Sequence, residues 1–114
     1  MADKSITKVS SEYAPEGDLG QKYLASGVHL SMRLWSGEHP SADKPETVRE
    51  YETVGFVLEG KAELYIEGQR ILLEKGDSWV VPKGARHRYK ILDFFSAVEA
   101  TSPPAGVHAR DAVG

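Results

Sequence analysis

An all-β chain, folded as an antiparallel sandwich or barrel, is the class this sequence predicts. Three observations predict it. Apolar and polar residues alternate with period two in several short runs, turn-forming clusters of Gly, Pro, Asp and Ser separate those runs at close spacing, and no stretch carries a convincing amphipathic helical period. With 114 residues the chain is long enough for one domain with a real core and too short for two.

Residues 1–20 are polar, with a turn cluster at Pro15-Glu16-Gly17-Asp18, and read as an N-terminal arm. From Tyr23 the pattern changes: Val28, Leu30, Met32 and Leu34 alternate with His29, Ser31, Arg33 and Trp35, one face apolar and the other mixed. The mixed face, with His29, Arg33 and Trp35, is expected to be exposed or to form a dimer surface, with a second pocket wall as the alternative. Residues 36–45 read as a long loop holding two prolines. Residues 47–58 form the next extended run, with Gly55 marking a bulge or a close backbone approach and Glu59-Gly60 closing the run as a turn.

Ala62, Leu64 and Ile66 alternate with Glu63, Tyr65 and Glu67, and Glu67-Gly68-Gln69-Arg70 leads into Ile71-Leu72-Leu73 as a hairpin. Gly76-Asp77 is a turn, residues 78–81 are a short strand, and Pro82-Lys83-Gly84 ends it, so His87 opens the strand that follows. Trp79 is expected in the core or an interface. Residues 87–91 alternate again, residues 94–100 give a last strand, and 103–114 are a tail in which His108 is a solvated bystander. A barrel domain over residues 21–102 is the resulting division.

Composition excludes several functions. A net charge of −3 gives no basic footprint for nucleic acid, and the Lys83 to Arg88 cluster reads as a solvated loop. Cysteine is missing, which removes disulfides, thiol nucleophiles and thiolate metal sites. No apolar run is long enough to span a bilayer and no signal-peptide pattern opens the chain, so a cytoplasmic protein without membrane contact is expected.

The stretch from Gly76 to His87 resembles the second signature motif of the cupin superfamily: Gly76, five residues, Pro82, one residue, Gly84, two residues, His87. Where that motif would continue to an Asn, the chain has Ile91. Residues 55–64, with Val57-Leu58-Glu59-Gly60, are similar to the strand and turn that end the first cupin motif. The resemblance covers roughly residues 27–101 and implies an antiparallel double-sheet jelly-roll barrel. Homodimerisation is a further expectation from it.

Metal-binding members of that superfamily carry His-x-His and then Glu or Gln in the first motif. Counted back from Gly60, those positions fall on Thr47, Arg49 and Thr53, which leaves His87 as the one ligand. Glu52 lies one residue from the acidic position and, by strand alternation, points away from the site unless a bulge intervenes. One imidazole with two threonines does not meet a transition metal's needs, and an arginine among them repels a cation. No metal and no other cofactor is therefore expected, although His39, Glu46, Glu50 or Glu52 converging on His87 would rebuild a site.

If the cupin register holds, Thr47, Arg49, Tyr51 and Thr53 face His87 and Tyr89 across a cavity lined by residues such as Val57 and Ile91. That set of six is the expected ligand site, suited to a small organic anion. Three functions stay open: a metal-free binder, acting as a sensor or as a lyase or isomerase using His87 and Tyr51; a metal-dependent dioxygenase or isomerase with an atypical ligand set; and a structural module with a filled barrel. A bland alternative stands beside the site: Arg49 pairs with Glu50 or Glu52, and His87 is structural.

Overall fold

A computed structural model describes residues 6–40 and 44–105. Its elements are a 3-10 turn at Ser11–Tyr13, then β1 (Lys22–Ser26), β2 (Ser31–Glu38), β3 (Glu52–Ile66), β4 (Gln69–Glu74), β5 (Ser78–Val81) and β6 (His87–Ser102). Every strand pairing is antiparallel, and the order is β1-β2-β6-β3-β4 with β5 also on β3. The fold is an antiparallel jelly-roll barrel.

Two long strands make it a barrel. The first half of β3 pairs with β5 and with the last part of β6, Val54 opposite Val80 and Ala100. Its second half pairs with β4 and with the start of β6, Leu64 opposite Ile71 and Tyr89. Between these halves the β3–β6 register slips three times, from Val57 to Ala62. Bulges raise twist and bend a strand, so β3 and β6 turn a corner together and serve both layers. Val57, Ala62, Leu64, Leu73, Trp79, Val81, Ile91, Phe95 and Ala97 are buried as one core cluster.

The structure departs from the sequence reading in several places. Glu59-Gly60 is not a turn: β3 runs through it, with Gly60 at φ +84° in the corner. Residues 87–100 are one strand, bent at the same corner. The run from Tyr23 to Trp35 is a hairpin, with Gly27 N–H donating to the Leu30 carbonyl at 2.7 Å. Finally, the mixed face of β2 points inward. Ser31 and Arg33 are buried while Met32 is 41% exposed, because Arg33 finds an internal carboxylate and need not seek water.

The extended run expected over residues 47–58 becomes a strand only from Glu52, with Thr47 held by an isolated bridge to His87, whereas two other expectations hold. Glu67 and Gly68 form a two-residue hairpin turn, both at positive φ (46° and 80°), between β4 and β3. Gly55 is a close approach and not a bulge: a Cβ there would overlap the Trp79 ring, which is 6% exposed in the core. His108 and residues 106–114 lie outside the described residues, as do residues 1–5 and 41–43.

Candidate functional site

His87 opens β6 because Pro82 stops β5 and the 82–84 turn redirects the chain. Its backbone exchanges two hydrogen bonds with Thr47, at 2.8 and 2.9 Å, and the Arg49 carbonyl accepts from Gly84 N–H at 3.0 Å. The connection after β2 is thus stitched along the edge of β6, with Lys44 N–H donating to the Tyr89 carbonyl at 3.2 Å. This segment walls a cavity of about 730 Å³ in the barrel.

Of the six expected residues, His87, Arg49, Tyr51, Thr47 and Tyr89 line that cavity. Thr53 does not; it is buried one strand position deeper, paired with Val81 and Thr101. Ile91 lines the wall, while Val57 belongs to the core beneath. Glu52 is exposed, facing away as strand alternation requires.

His87 is buried, and its Nδ1 lies 3.0 Å from the Ala85 carbonyl. A carbonyl only accepts, so Nδ1 carries the proton and the neutral ring's Nε2 is the acceptor, 3.4 Å from Thr47 Oγ1. The ring also stands edge-on to Tyr89 at 6.0 Å between centroids. Tyr89's hydroxyl accepts a 3.2 Å bond from Trp79 Nε1. Burial, and secondarily the Glu99 carboxylate, push this phenol above the ordinary value of 10.0.

That shift makes a prediction. The folded state holds the Tyr89 proton more tightly than the unfolded chain, so its contribution to stability is complete below about pH 10 and is lost as pH rises beyond that. In thermal melts from pH 8 to pH 11, Tyr89→Phe is expected to flatten the alkaline loss of stability; a slope equal to the parent's would contradict it.

Arg33, Trp35 and Glu99 also line the cavity; sequence reasoning offered the first two only as an alternative pocket wall and missed Glu99. Arg33 Nε donates to Glu99 Oε1 at 2.7 Å, and Trp35 Nε1 donates to the same oxygen at 2.5 Å. Arg33 Nη1 donates to Tyr51 Oη at 2.9 Å, and the guanidinium lies 5.4 and 5.3 Å from the Trp35 and Tyr51 ring centres. Side-chain exposure is only 10% for Arg33 and 2% for Glu99. The available signal was the pairing of a charge with small residues on one strand face: Ser31 and Arg33 on β2, Ala97, Glu99 and Thr101 on β6. Nearer the mouth, Lys44 Nζ reaches Glu38 at 2.8 Å and sits 5.6 Å from the Trp35 ring centre.

A metal in the position the cupin fold offers would have to be held by Thr47, Arg49, Thr53 and His87. These do not fit one, since a guanidinium and two hydroxyls accompany a single imidazole. The other candidates do not converge. Glu46, Glu50 and Glu52 are exposed, with Glu46 3.5 Å from Arg86, and His39 stacks edge-on against Phe94. Among the described residues no group of three His, Asp or Glu could hold a metal ion.

With this geometry in place, comparison with known proteins is informative. The family profile described as Cupin domain matches residues 36–93, just over half the chain. An uncharacterized protein of Aquifex aeolicus (strain VF5) is 35% identical over 65 residues, 57% of this chain and 54% of its own; the chain thus spans about half of that relative. Among solved structures, KdgF from Halomonas sp. superposes with a TM-score of 0.72 at 21% identity, covering 88% of this chain and 94% of that one. An RmlC-like cupin from Shewanella frigidimarina NCIMB 400 gives 0.74 at 20% identity, covering 87% and 92%. At such identities the two structures speak for the fold alone.

Proposed function

Given that the chain belongs to the cupin domain family, we propose that it binds a small organic anion, such as a carboxylate, in the barrel without a metal. One observation carries this reading: a cavity of about 730 Å³ whose lining joins aromatic side chains to Arg49, His87 and Thr47. Ligand sites commonly occupy about 300–1,000 Å³ with mostly apolar walls and few polar groups. A structural module with a filled barrel would not keep such a space. Electrostatics favour an anion. Each carboxylate on the lining already faces a cation, Glu99 with Arg33, Glu38 with Lys44 and Glu46 with Arg86, so none is left to repel one.

Binding, as a sensor would use it, is as far as this reading goes. Of the two groups expected to move protons, Tyr51's oxygen accepts from Arg33 and His87's Nε2 lies 3.4 Å from Thr47 Oγ1. Both tryptophans of the chain line the cavity, which gives a direct assay. Titration with pyruvate, malate, citrate and benzoate is expected to change intrinsic fluorescence for at least one acid. Arg49→Ala should weaken that binding by about 10-fold or more, the usual worth of a charge-assisted contact. If no acid in the panel alters the emission, or the neutral amides bind equally well, the anion reading fails.

A further inference from the structure

Six rings line the cavity: Trp35, Tyr51, Trp79, His87, Tyr89 and Phe95. Three of them form a run. His87 meets Tyr89 edge to face at 6.0 Å between centroids, and Tyr89 meets Trp79 in the same way at 6.4 Å. The run begins beside the groups assigned to the anion, because Thr47 Oγ1 lies 3.4 Å from His87 Nε2 and the Arg49 carbonyl accepts from Gly84 N–H, just ahead of His87. Polar atoms on these rings are already engaged within the protein. Trp79 Nε1 donates to Tyr89 Oη, Trp35 Nε1 to Glu99, Arg33 Nη1 to Tyr51 Oη, and His87 Nδ1 to the Ala85 carbonyl. The aromatic lining thus offers a ligand π surface more than hydrogen-bonding capacity.

We infer that the ligand is a flat aromatic monocarboxylic acid of at least two rings, packed against the run of His87, Tyr89 and Trp79 with its carboxylate beside Arg49. This assignment rests on the anion reading proposed above. Aromatic rings meet one another in offset or edge-on contacts that add to the gain from the apolar area they bury. A sugar acid can also lie on a ring face, but its hydroxyls would give up water for a wall whose polar atoms are engaged, and that is costly. Size separates one ring from two. A cavity of about 730 Å³ lies in the upper part of the range that holds drug-sized ligands, and two centroid steps of 6.0 and 6.4 Å exceed what a single benzene ring covers. Charge separates a monoacid from a polyacid. Four cationic side chains line the cavity against three carboxylates, which leaves, imidazole aside, a balance of one positive charge. One carboxylate matches it, whereas a di- or tricarboxylate brings uncompensated charge.

Isothermal titration calorimetry on the full chain tests the assignment with naphthoate, its fully saturated decalin counterpart, gluconate and the neutral naphthamide. Naphthoate is expected to bind about 5-fold or more tightly than the decalin acid, the usual size of an aromatic contact beyond its area, and about 10-fold or more tightly than gluconate. If the decalin acid or gluconate binds as tightly as naphthoate, the aromatic assignment is overturned and the anion reading stands. A naphthamide that matches naphthoate defeats the anion reading itself, and the acid assigned here falls with it. Tyr89→Phe and Tyr89→Leu locate the ring, since both lack the hydroxyl and only leucine lacks the aromatic face. The preference for naphthoate over the decalin acid should survive in Tyr89→Phe and fall about threefold or more in Tyr89→Leu, with circular dichroism establishing that each variant folds. An equal preference in the two overturns the placement beside Tyr89. Nuclear Overhauser transfer between naphthoate and the Tyr89 and His87 ring protons of the parent protein reads the same placement without a substitution, and its absence overturns it.

Discussion

Arg33→Leu is expected to cost about 3–5 kcal/mol, a large part of the ~5–15 kcal/mol that holds a domain of this kind together. The reason is the charge it leaves behind. Glu99 is 2% exposed, and without Arg33 its carboxylate keeps, among the described residues, only the Trp35 N–H as a donor. Glu99→Leu should cost comparably but somewhat less, because the stranded guanidinium keeps Tyr51's oxygen and two aromatic faces. The double variant Arg33→Leu/Glu99→Leu removes both charges and should recover most of the loss, as hydrophobic replacement of buried ion pairs commonly does. Denaturant melts of the four proteins close a double-mutant cycle; losses that simply add would show that the two groups are not coupled.

Local pattern carried the sequence reading as far as local physics reaches. Residues 62–66 and 71–73 declared a hairpin because alternation and a Glu-Gly turn coincide. The spacing from Gly76 to His87 placed an imidazole at a strand start, and strand alternation turned Glu52 outward. Five of six expected site residues line one cavity, because Thr47, Arg49 and Tyr51 run beside β6 in the register the family resemblance implied. What escaped was non-local. Period two says which residues share a face and not which face is inside. On β2 the assumption that the apolar side goes inward gave the opposite of what Arg33 does. Its partner Glu99 lies 66 residues away, and nothing in the sequence couples them. The length of β3 was missed for a chemical reason: a glycine at positive φ after Glu59 looks like a hairpin turn whether the chain reverses there or merely bends.

That ambiguity yields a second large effect. Gly60 and Gly68 have nearly the same backbone, φ +84° and +80°, and a Cβ costs about 1–2 kcal/mol at either for the left-handed conformation alone. Their surroundings differ completely. Around Gly68 nothing lies within 4 Å of the added carbon, while at Gly60 it would overlap the Phe94 carbonyl oxygen and crowd Phe95, all backbone of the adjacent strand. A flexible side chain could swing away, but a β6 backbone bent at the shared corner cannot move without unpairing β3. Overpacking adds about 1–3 kcal/mol, so Gly60→Ala is expected to lose roughly 2–5 kcal/mol and Gly68→Ala no more than about 2 kcal/mol. Equal losses in denaturant melts would show that the conformation, and not the approach of β6, is what reserves position 60 for glycine. A larger loss at Gly60 would instead identify the contact between the two long strands at their corner as what sets the angle between the layers, and with it the width of the cavity they enclose.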